Sequence, residues 1–477
     1  MLDMRYQGID LKTYKREKKT LNKMVNDKYR QSFHIMPDVG WLNDPNGLHE
    51  INGVKHIYFQ YAPFDVNGKY YKMWGHVSTK DYINYDWHEP FILNDYVRDL
   101  HGAYSGSAYL NNGKVEFYYT GNVKKMDKDY DYINEGREQN VIKIVSNDSF
   151  DTTHKQLIMD NNDYPSDMSC HVRDPKIFNV NDKRYMILGA RDVNSKGMAL
   201  LYVDNGNDDW QLVNRITTDE TFGYMWECPD FVTVDGHQII ICCPQGIQTQ
   251  GYHYQNVHSC GYFDINYDFN NHNYDIKDFH ELDYGFDFYA PQTFVNEEGD
   301  NILIGWLGIP EADYHNLEDT LAWQHCLTIP RKLEYKNDKL YQVPVKELEN
   351  LRKENVDYHN YNEASYELLI NNINGNGVIN FTNEVKLIIE NNLITLDLGT
   401  KGGGRDKRYL EVENLDSLRI YVDNSSLEIF VNGGEYVMTS RFFDLEYNLN
   451  INLDSEVVLY PLNSITINNK EVLWKKY

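Results

Sequence analysis

The sequence predicts an all-β protein, a five-bladed β-propeller followed by a C-terminal β-sandwich. Three observations carry this. Five short apolar runs of strand type recur at intervals of 59, 69, 53 and 64 residues. Each follows, by about a dozen residues, a polar segment flanked by turn formers. Late in the chain the period gives way to short strands separated by Asn, Gly and Asp turns. A unit of this length holds four strands with their turns, and radial stacking lets each unit bury its faces against its neighbours.

Residues 1–30 read as an N-terminal extension with nine Lys/Arg and four Asp/Glu. No apolar stretch there has the character of a secretion signal, so the expected location is cytoplasmic. The propeller is expected over 31–340. Its apolar runs are His56–Tyr61, Val115–Thr120, Arg184–Gly189, His237–Cys242 and Asn301–Trp306. The polar segments before them are Asn43–Gly47, Tyr104–Ser107, Arg173–Pro175, Trp226–Pro229 and Asp287–Ala290. Measured at Asp44, Ser105, Asp174, Glu227 and Tyr289, their intervals are 61, 69, 53 and 62, in step with the apolar series. If the first strand of each blade lines a central channel, residues far apart in sequence converge on one funnel.

The pattern changes after Trp323. Pro344–Arg352 reads as a short helix with Pro near its start and Leu348 and Leu351 on one face, giving a linker helix over 341–355. The sandwich is expected over 356–477, with strands such as Val385–Glu390, Leu393–Leu398, Leu418–Val422 and Ser426–Val431. Lys401–Arg405, with three consecutive glycines, is a flexible turn. It lacks the spacing and the following helix of a phosphate loop.

Composition narrows the partners. With 46 Lys+Arg against 72 Asp+Glu the formal charge is −26, which argues against nucleic acid and anionic membranes. No apolar run, Ile239–Cys243 among them, approaches the length needed to cross a bilayer as a helix. The six cysteines form no CxxC pair and no metal-ligand spacing, so free thiols are expected. Aromatic residues reach 14%, with 39 Tyr, a residue suited to strands and to surfaces that hold sugars.

Three acids sit at matching phases of the repeat. Asp44-Pro-Asn-Gly47 alone is a turn, and Arg173-Asp-Pro175 alone is a structural pair at a bend. Glu227 lies in Tyr224–Pro229, an apolar setting expected to raise its pKa toward that of a general acid. Facing carboxylates are the apparatus of glycoside hydrolysis, provided their environments push their pKa values apart. Asp44, in a polar turn rich in backbone N–H donors, suits the ionised nucleophile. Glu227 suits the acid, and Asp174, charged beside Arg173, suits gripping hydroxyls and stabilising positive charge. Trp41, Trp74, Tyr104, Tyr289, Trp306 and Trp323 are candidate walls.

Trp41–Gly47, Tyr58–Tyr61, Trp74–His76, Ser105–Ser107, Arg173–Pro175, Trp226–Cys228 and Asp287–Ala290 together resemble glycoside hydrolase family 32. The likeness continues through Gly305–Gly308, Trp323–Arg331 and Val422–Asn432. The resemblance implies retaining hydrolysis of terminal β-fructofuranosides through a covalent fructosyl-enzyme, with no metal or organic cofactor. It makes Asp44 the nucleophile, Glu227 the acid/base and Asp174, with Arg173 beside it, the transition-state stabiliser. Asn43, Gln60, Trp74, Tyr104, Ser105, Trp306 and Trp323 fall on positions that shape the fructose pocket. Tyr104 departs from the Phe expected before Ser-Gly-Ser and adds a hydroxyl that needs a partner.

The expected substrates are sucrose and short fructo-oligosaccharides, acted on by a monomer or homodimer. A sucrose-6-phosphate hydrolase is the alternative, for which Lys69, Lys72, Arg137 and Lys143 are candidate phosphate ligands. A fructan exohydrolase, a non-catalytic sugar-binding propeller and a hydrolase of other furanosides are further readings. The presence of both Asp44 and Glu227 argues against a non-catalytic role.

Overall fold

The structure, a computed structural model, describes residues 8–18, 28–70, 72–311, 322–359 and 361–468. From Gly40 to Pro344 the chain lays down antiparallel sheets one after another in a propeller-like arrangement. The first holds β1 (Gly40–Ile51), β2 (Val54–Ala62), β3 (Met73–Thr79) and β4 (Asn84–Trp87). The second holds β5 (Ala103–Asn111), β6 (Lys114–Lys124), β7 (Arg137–Ser146) and β8 (Gln156–Met159). The third holds β9 (Met168–Val180), β10 (Lys183–Asp192), β11 (Gly197–Asp204) and β12 (Trp210–Ile216). The fourth holds β13 (Met225–Val234), β14 (His237–Gln245), β15 (Gly261–Tyr267) and β16 (Tyr274–Glu281). The fifth joins β17 (Tyr289–Val295) and β18 (Asn301–Leu307) to β20 (Cys326–Leu327), β21 (Arg331–Lys336) and β22 (Lys339–Pro344). The two-residue β19 (Trp323–Gln324) instead pairs in parallel with β1, so the end of this series returns to its beginning.

The apolar runs are the second strands β2, β6, β10, β14 and β18, nearly continuous in burial because sheets pack on both faces. The polar segments lie in or lead into the first strands. Those strands touch in a cycle: β1 with β5, β5 with β9, β9 with β13, β13 with β17, and β17 with β1. Four of the first hairpins close with two residues at positive φ: Asn52-Gly53, Asn112-Gly113, Asn181-Asp182 and Asp235-Gly236. Such turns match the right-handed twist of paired strands and fix their register.

β22 stays paired through Pro344, past the boundary expected at 340, because its alternation continues to match β21 (Arg331↔Pro344). Next comes a 3₁₀ helix, Lys346–Leu351, with Leu348 and Leu351 both buried. The C-terminal region is a sandwich-like sheet organised by β23 (Tyr366–Thr382). The first part of β23 pairs with Leu418–Asp423 and its later part with Lys386–Glu390, while Tyr447–Pro461 follows its whole length. Its core is aliphatic, including Leu368, Ile379, Leu387, Leu396, Ile420 and Ile429.

Buried ionic groups tie this sheet to the propeller. Arg331, with no exposed surface, bonds Glu428 at 2.5 Å, Thr439 Oγ1 at 2.8 Å and Gln342 Oε1 at 2.8 Å. His34 bridges Asp423 (2.8 Å) and Glu428 (2.9 Å). Arg405, from the glycine-rich turn, reaches Asp287 at 2.6 Å. A last strand, Thr466–Asn468, returns to pair in parallel with β4. The extension before residue 31 carries α1 (Leu11–Lys18), whose Tyr14 joins the core of the first sheet. All six cysteines are unpaired. Among the described residues no helix is long and apolar enough to cross a membrane.

Candidate active site

One local device repeats at the funnel. Each first strand carries a β-bulge at the same phase: between Leu42 and Pro45, Ala103 and Gly106, Arg173 and Lys176, Glu227 and Asp230, and Tyr289 and Gln292. In every case three residue steps face two on the partner strand. A bulge re-aims a side chain that regular pleating would turn into the sheet. The residues it frees or flanks are Asp44, Ser105, Asp174, Glu227 and Tyr289, the five picked out by the repeat. Asp174, Cys228 and Ala290 sit at positive φ (+64°, +49° and +45°), a cost for Cys and Ala that the surrounding sheets must over-determine. At Gly106 a Cβ would lie 2.0 Å from Tyr118 O, so the bulge of the second sheet admits only glycine.

Asp44 is held on both oxygens. Ser105 Oγ donates to Oδ2 at 2.5 Å and Asn43 Nδ2 to Oδ1 at 2.8 Å. Gln60 Nε2 donates to Ser105 Oγ at 2.9 Å, and Trp41 Nε1 and Lys72 Nζ both donate to Asn43 Oδ1. Asn43, Gln60 and Ser105 are buried. Asp174 accepts the Cys228 N–H at 2.9 Å, and its own N–H donates to Thr120 Oγ1 at 2.8 Å. The Cys228 sulfur lies 3.9 Å from Asp44 Oδ2 and 3.7 Å from Asp174 Oδ2, which puts the two carboxylates against one thiol. Glu227 accepts from Arg173 Nη2 on Oε1, and from Tyr289 OH and Gln245 Nε2, each at 2.8 Å, on Oε2. Arg173 also lies 3.9 Å from Asp174 Oδ2 and bonds His171 Nδ1 at 2.7 Å. Between Pro45, Asp174, Cys228 and Ala290 lies a volume of about 10 Å³, room for about one water.

The charge pattern reverses the expectation from sequence. Burial alone would raise Glu227, but Arg173 and the Tyr289 hydroxyl outweigh it and hold its carboxyl below the usual range. The cause is a cation from a different sheet, which the apolar neighbours of Glu227 in sequence do not reveal. Asp44 is pushed up, by burial first and then by the charge of Glu227, against the opposing bonds from Ser105 and Asn43. The expected backbone N–H donors to Asp44 are replaced by side chains. Asp174 is raised to about 7, because burial and the charges of Glu227 and Asp44 exceed the help from Arg173 and the Cys228 N–H. Close carboxylates titrate as a unit, so these directions belong to the cluster.

The candidate aromatic residues divide. Trp41, Trp306 and Tyr289 form one wall with His325: Trp41 to His325 is 4.3 Å, Trp41 to Trp306 5.8 Å and Tyr289 to Trp306 6.3 Å between ring centroids. Tyr104 is partly exposed, and its carbonyl accepts the Trp74 indole N–H at 3.0 Å. Trp74 and Trp323 have no exposed surface. Trp74 supports the floor among Tyr58, Phe117 and Tyr119, whereas Trp323 packs between Arg30 and Arg441 near the sandwich-like sheet. Both lie behind any sugar-facing surface, because rings this large fill the seams between sheets. Sequence reasoning missed Gln245, His171, Thr120 and His325. Gln245 was not legible from the turn: the register of the Asp235-Gly236 hairpin continued unbroken would set Glu227 opposite Pro244, and only the bulge between Glu227 and Asp230 brings Cys243 opposite Glu227 and Gln245 onto its face. Among the described residues no group of His, Cys, Asp and Glu is arranged to hold a metal ion.

Two polar-held carboxylates with a third between them, beside an aromatic wall, can attack an acetal carbon and protonate its leaving oxygen. Residues 34–344 match the family described as Glycosyl hydrolases family 32 N-terminal domain, and residues 390–469 match Glycosyl hydrolases family 32 C terminal. A sucrose-6-phosphate hydrolase of Staphylococcus xylosus is 36% identical, the match covering 95% of this chain and 94% of that protein. The sucrose-6-phosphate hydrolase of Bacillus subtilis is 34% identical over 89% of this chain and 91% of its own. Among solved structures, a sucrose-6-phosphate hydrolase from Lactobacillus gasseri superposes with a TM-score of 0.86 at 28% identity, covering 97% of this chain and 99% of that one. A family 32 β-fructofuranosidase from Bombyx mori gives 0.82 at 27%, covering 96% and 100%.

Proposed function

The chain belongs to glycoside hydrolase family 32 and is a glycosidase, and from that premise we propose that it removes the terminal β-fructofuranosyl unit of sucrose and short fructo-oligosaccharides with retention. The observation that carries this reading is the convergence of Asp44, Asp174 and Glu227 from bulges at one phase of three sheets. Asp44, aligned by Ser105 and Asn43, attacks the anomeric carbon while Glu227 gives its proton to the departing oxygen. The glycosidic bond breaks and a fructosyl ester of Asp44 forms. Glu227, now ionised, takes a proton from water, which attacks the ester and regenerates Asp44. Asp174 and Arg173 grip fructose hydroxyls, and Trp41, Trp306 and Tyr289 wall the ring. Asn43, Gln60, Tyr104 and Ser105 shape the pocket from the Asp44 side.

In the free site burial shifts Asp44 and Asp174 up while Arg173 shifts Glu227 down, so the aspartates hold a proton more tightly than the acid does, the reverse of the productive order. A leaving oxygen that competes with Arg173 for Glu227 weakens the charge that lowers it and so shifts that order toward the productive one. The five sheets, their cyclic contacts and the return of β19 to β1 support a five-bladed propeller over residues 31–344. A linker follows to 355, then a sandwich whose ionic ties to Arg331 and His34 fit a structural role. Sucrose 6-phosphate is the second reading, favoured by the names of the relatives above. Purified enzyme should release fructose from sucrose, sucrose 6-phosphate and 1-kestose, with Asp44→Asn lower by several orders of magnitude. Near-normal cleavage by Asp44→Asn would sink the assignment.

A further inference from the structure

We propose that Arg137, Arg191 and Lys124 form an anion subsite beside Glu227 that receives a phosphate carried by the leaving sugar. The inference rests on Glu227 being the acid that faces the leaving group. In a chain of net charge −26, these three cations make no ion pair with a carboxylate among the described residues. Arg137 on β7 stands directly opposite Lys124 on β6. Lys124 Nζ lies 5.5 Å over the ring of Tyr132, whose carbonyl accepts a bond from His171 Nε2 at 3.2 Å. His171 in turn bonds Arg173, which holds Glu227.

Arg191 approaches from the third sheet, 4.7 Å over the ring of Tyr224, with Nη2 on Ser195 Oγ at 2.8 Å. The Nε atoms of Arg137 and Arg191 are both buried without a hydrogen-bond partner. Burial first, and then the charges of Arg173, Arg137 and Arg191, lower the pKa of His171 and keep its ring neutral. Both side chains are only partly buried, but a guanidinium nitrogen buried without a partner is costly unless an acceptor meets it, and Arg forks match phosphate oxygens. The acids nearest in sequence are engaged elsewhere: Glu138 by Arg98 at 3.1 Å, and Asp131 by the backbone N–H groups of its own turn.

The other candidate cations are accounted for. Lys143 is buried between Glu116 and Asp208, both at 2.9 Å, and Lys72 bonds Asn43 on the Asp44 side, where the fructosyl unit binds. Lys69 is exposed, and its N–H caps Asp65.

The test is kcat/KM for sucrose 6-phosphate and for sucrose with the full chain, with Arg137→Gln, with Arg191→Gln and with Lys336→Gln, a surface control of equal charge change. The unmodified enzyme should favour the phosphorylated substrate by about 10-fold or more, and each Arg change should cut that ratio by about 10- to 100-fold. Lys336→Gln should not move the ratio. Glucose 6-phosphate should inhibit sucrose cleavage more strongly than glucose, with an advantage that weakens at high salt, a readout independent of how well the variants fold. A ratio near one, or one unmoved by both Arg changes, or equal inhibition by the two glucoses, overturns the subsite. Cleavage of neither substrate overturns instead the reading on which it rests.

Discussion

Replacing Arg173 with Gln removes the cation that touches Glu227 and stands 3.9 Å from Asp174, while keeping a polar group of similar reach. Arg173 holds Glu227 below its ordinary range against the pull of burial, and it restrains the rise of Asp174. An opposite charge in contact shifts a carboxyl by about 1–3 pKa units. The proposed mechanism needs one proton on Glu227 and a charge on Asp44, so both limbs of the kcat/KM profile should report the carboxylate cluster. Loss of a positive charge raises every acid in it. The bell should therefore move to higher pH by about 1–3 units, and its height should fall because Glu227 loses a positioning bond. The assay is initial rates of fructose release from sucrose across the stable pH range, compared with the unchanged enzyme. A bell that keeps its position while losing height would refute the argument that Arg173 sets the proton distribution.

Further outcomes follow from the same geometry. Cys228→Ser should lower kcat/KM by less than about 10-fold, because Asp174 is held by the Cys228 backbone N–H and the thiol is only a weak, long-range donor. His34 is raised to about 9, since its bonds to Asp423 and Glu428 outweigh burial. Its stabilising effect is thus complete below the unfolded pKa of 6.5 and disappears as pH rises through about 9, a loss of about 3 kcal/mol that His34→Gln should abolish in urea unfolding at several pH values. Arg331→Met strands Glu428 and Asp283 and should cost about 3–5 kcal/mol in the same assay. Truncation near residue 350 should leave an insoluble chain, and a soluble, fully active monomer would refute a necessary role for the sandwich.

Much of the site was legible because the repeat is printed in the sequence at the phase where the bulges fall. Asp44, Ser105, Asp174, Glu227 and Tyr289 keep step with the apolar second strands, and two-residue turns such as Asn112-Gly113 fix register locally. The protonation pattern was not legible. It depends on Arg173 reaching Glu227 across 54 residues and two sheets, and on Ser105 and Asn43 replacing the backbone donors expected around Asp44. Composition has no means of encoding such distances. The same holds for Trp323, whose motif suggested a sugar wall but whose ring packs between two guanidiniums, and for His34, whose partners lie 389 and 394 residues away.

The central claim is a covalent fructosyl ester on Asp44, and trapping tests it most directly. Glu227→Gln, given a β-fructofuranoside with a good leaving group that needs no acid, should form the ester and lack the base that resolves it. Intact-protein mass of the acid-quenched enzyme should then rise by one fructosyl unit, and the added mass should map to the peptide containing Asp44. Leaving-group release with no adduct on the enzyme, or an adduct on a different residue, would contradict the mechanism.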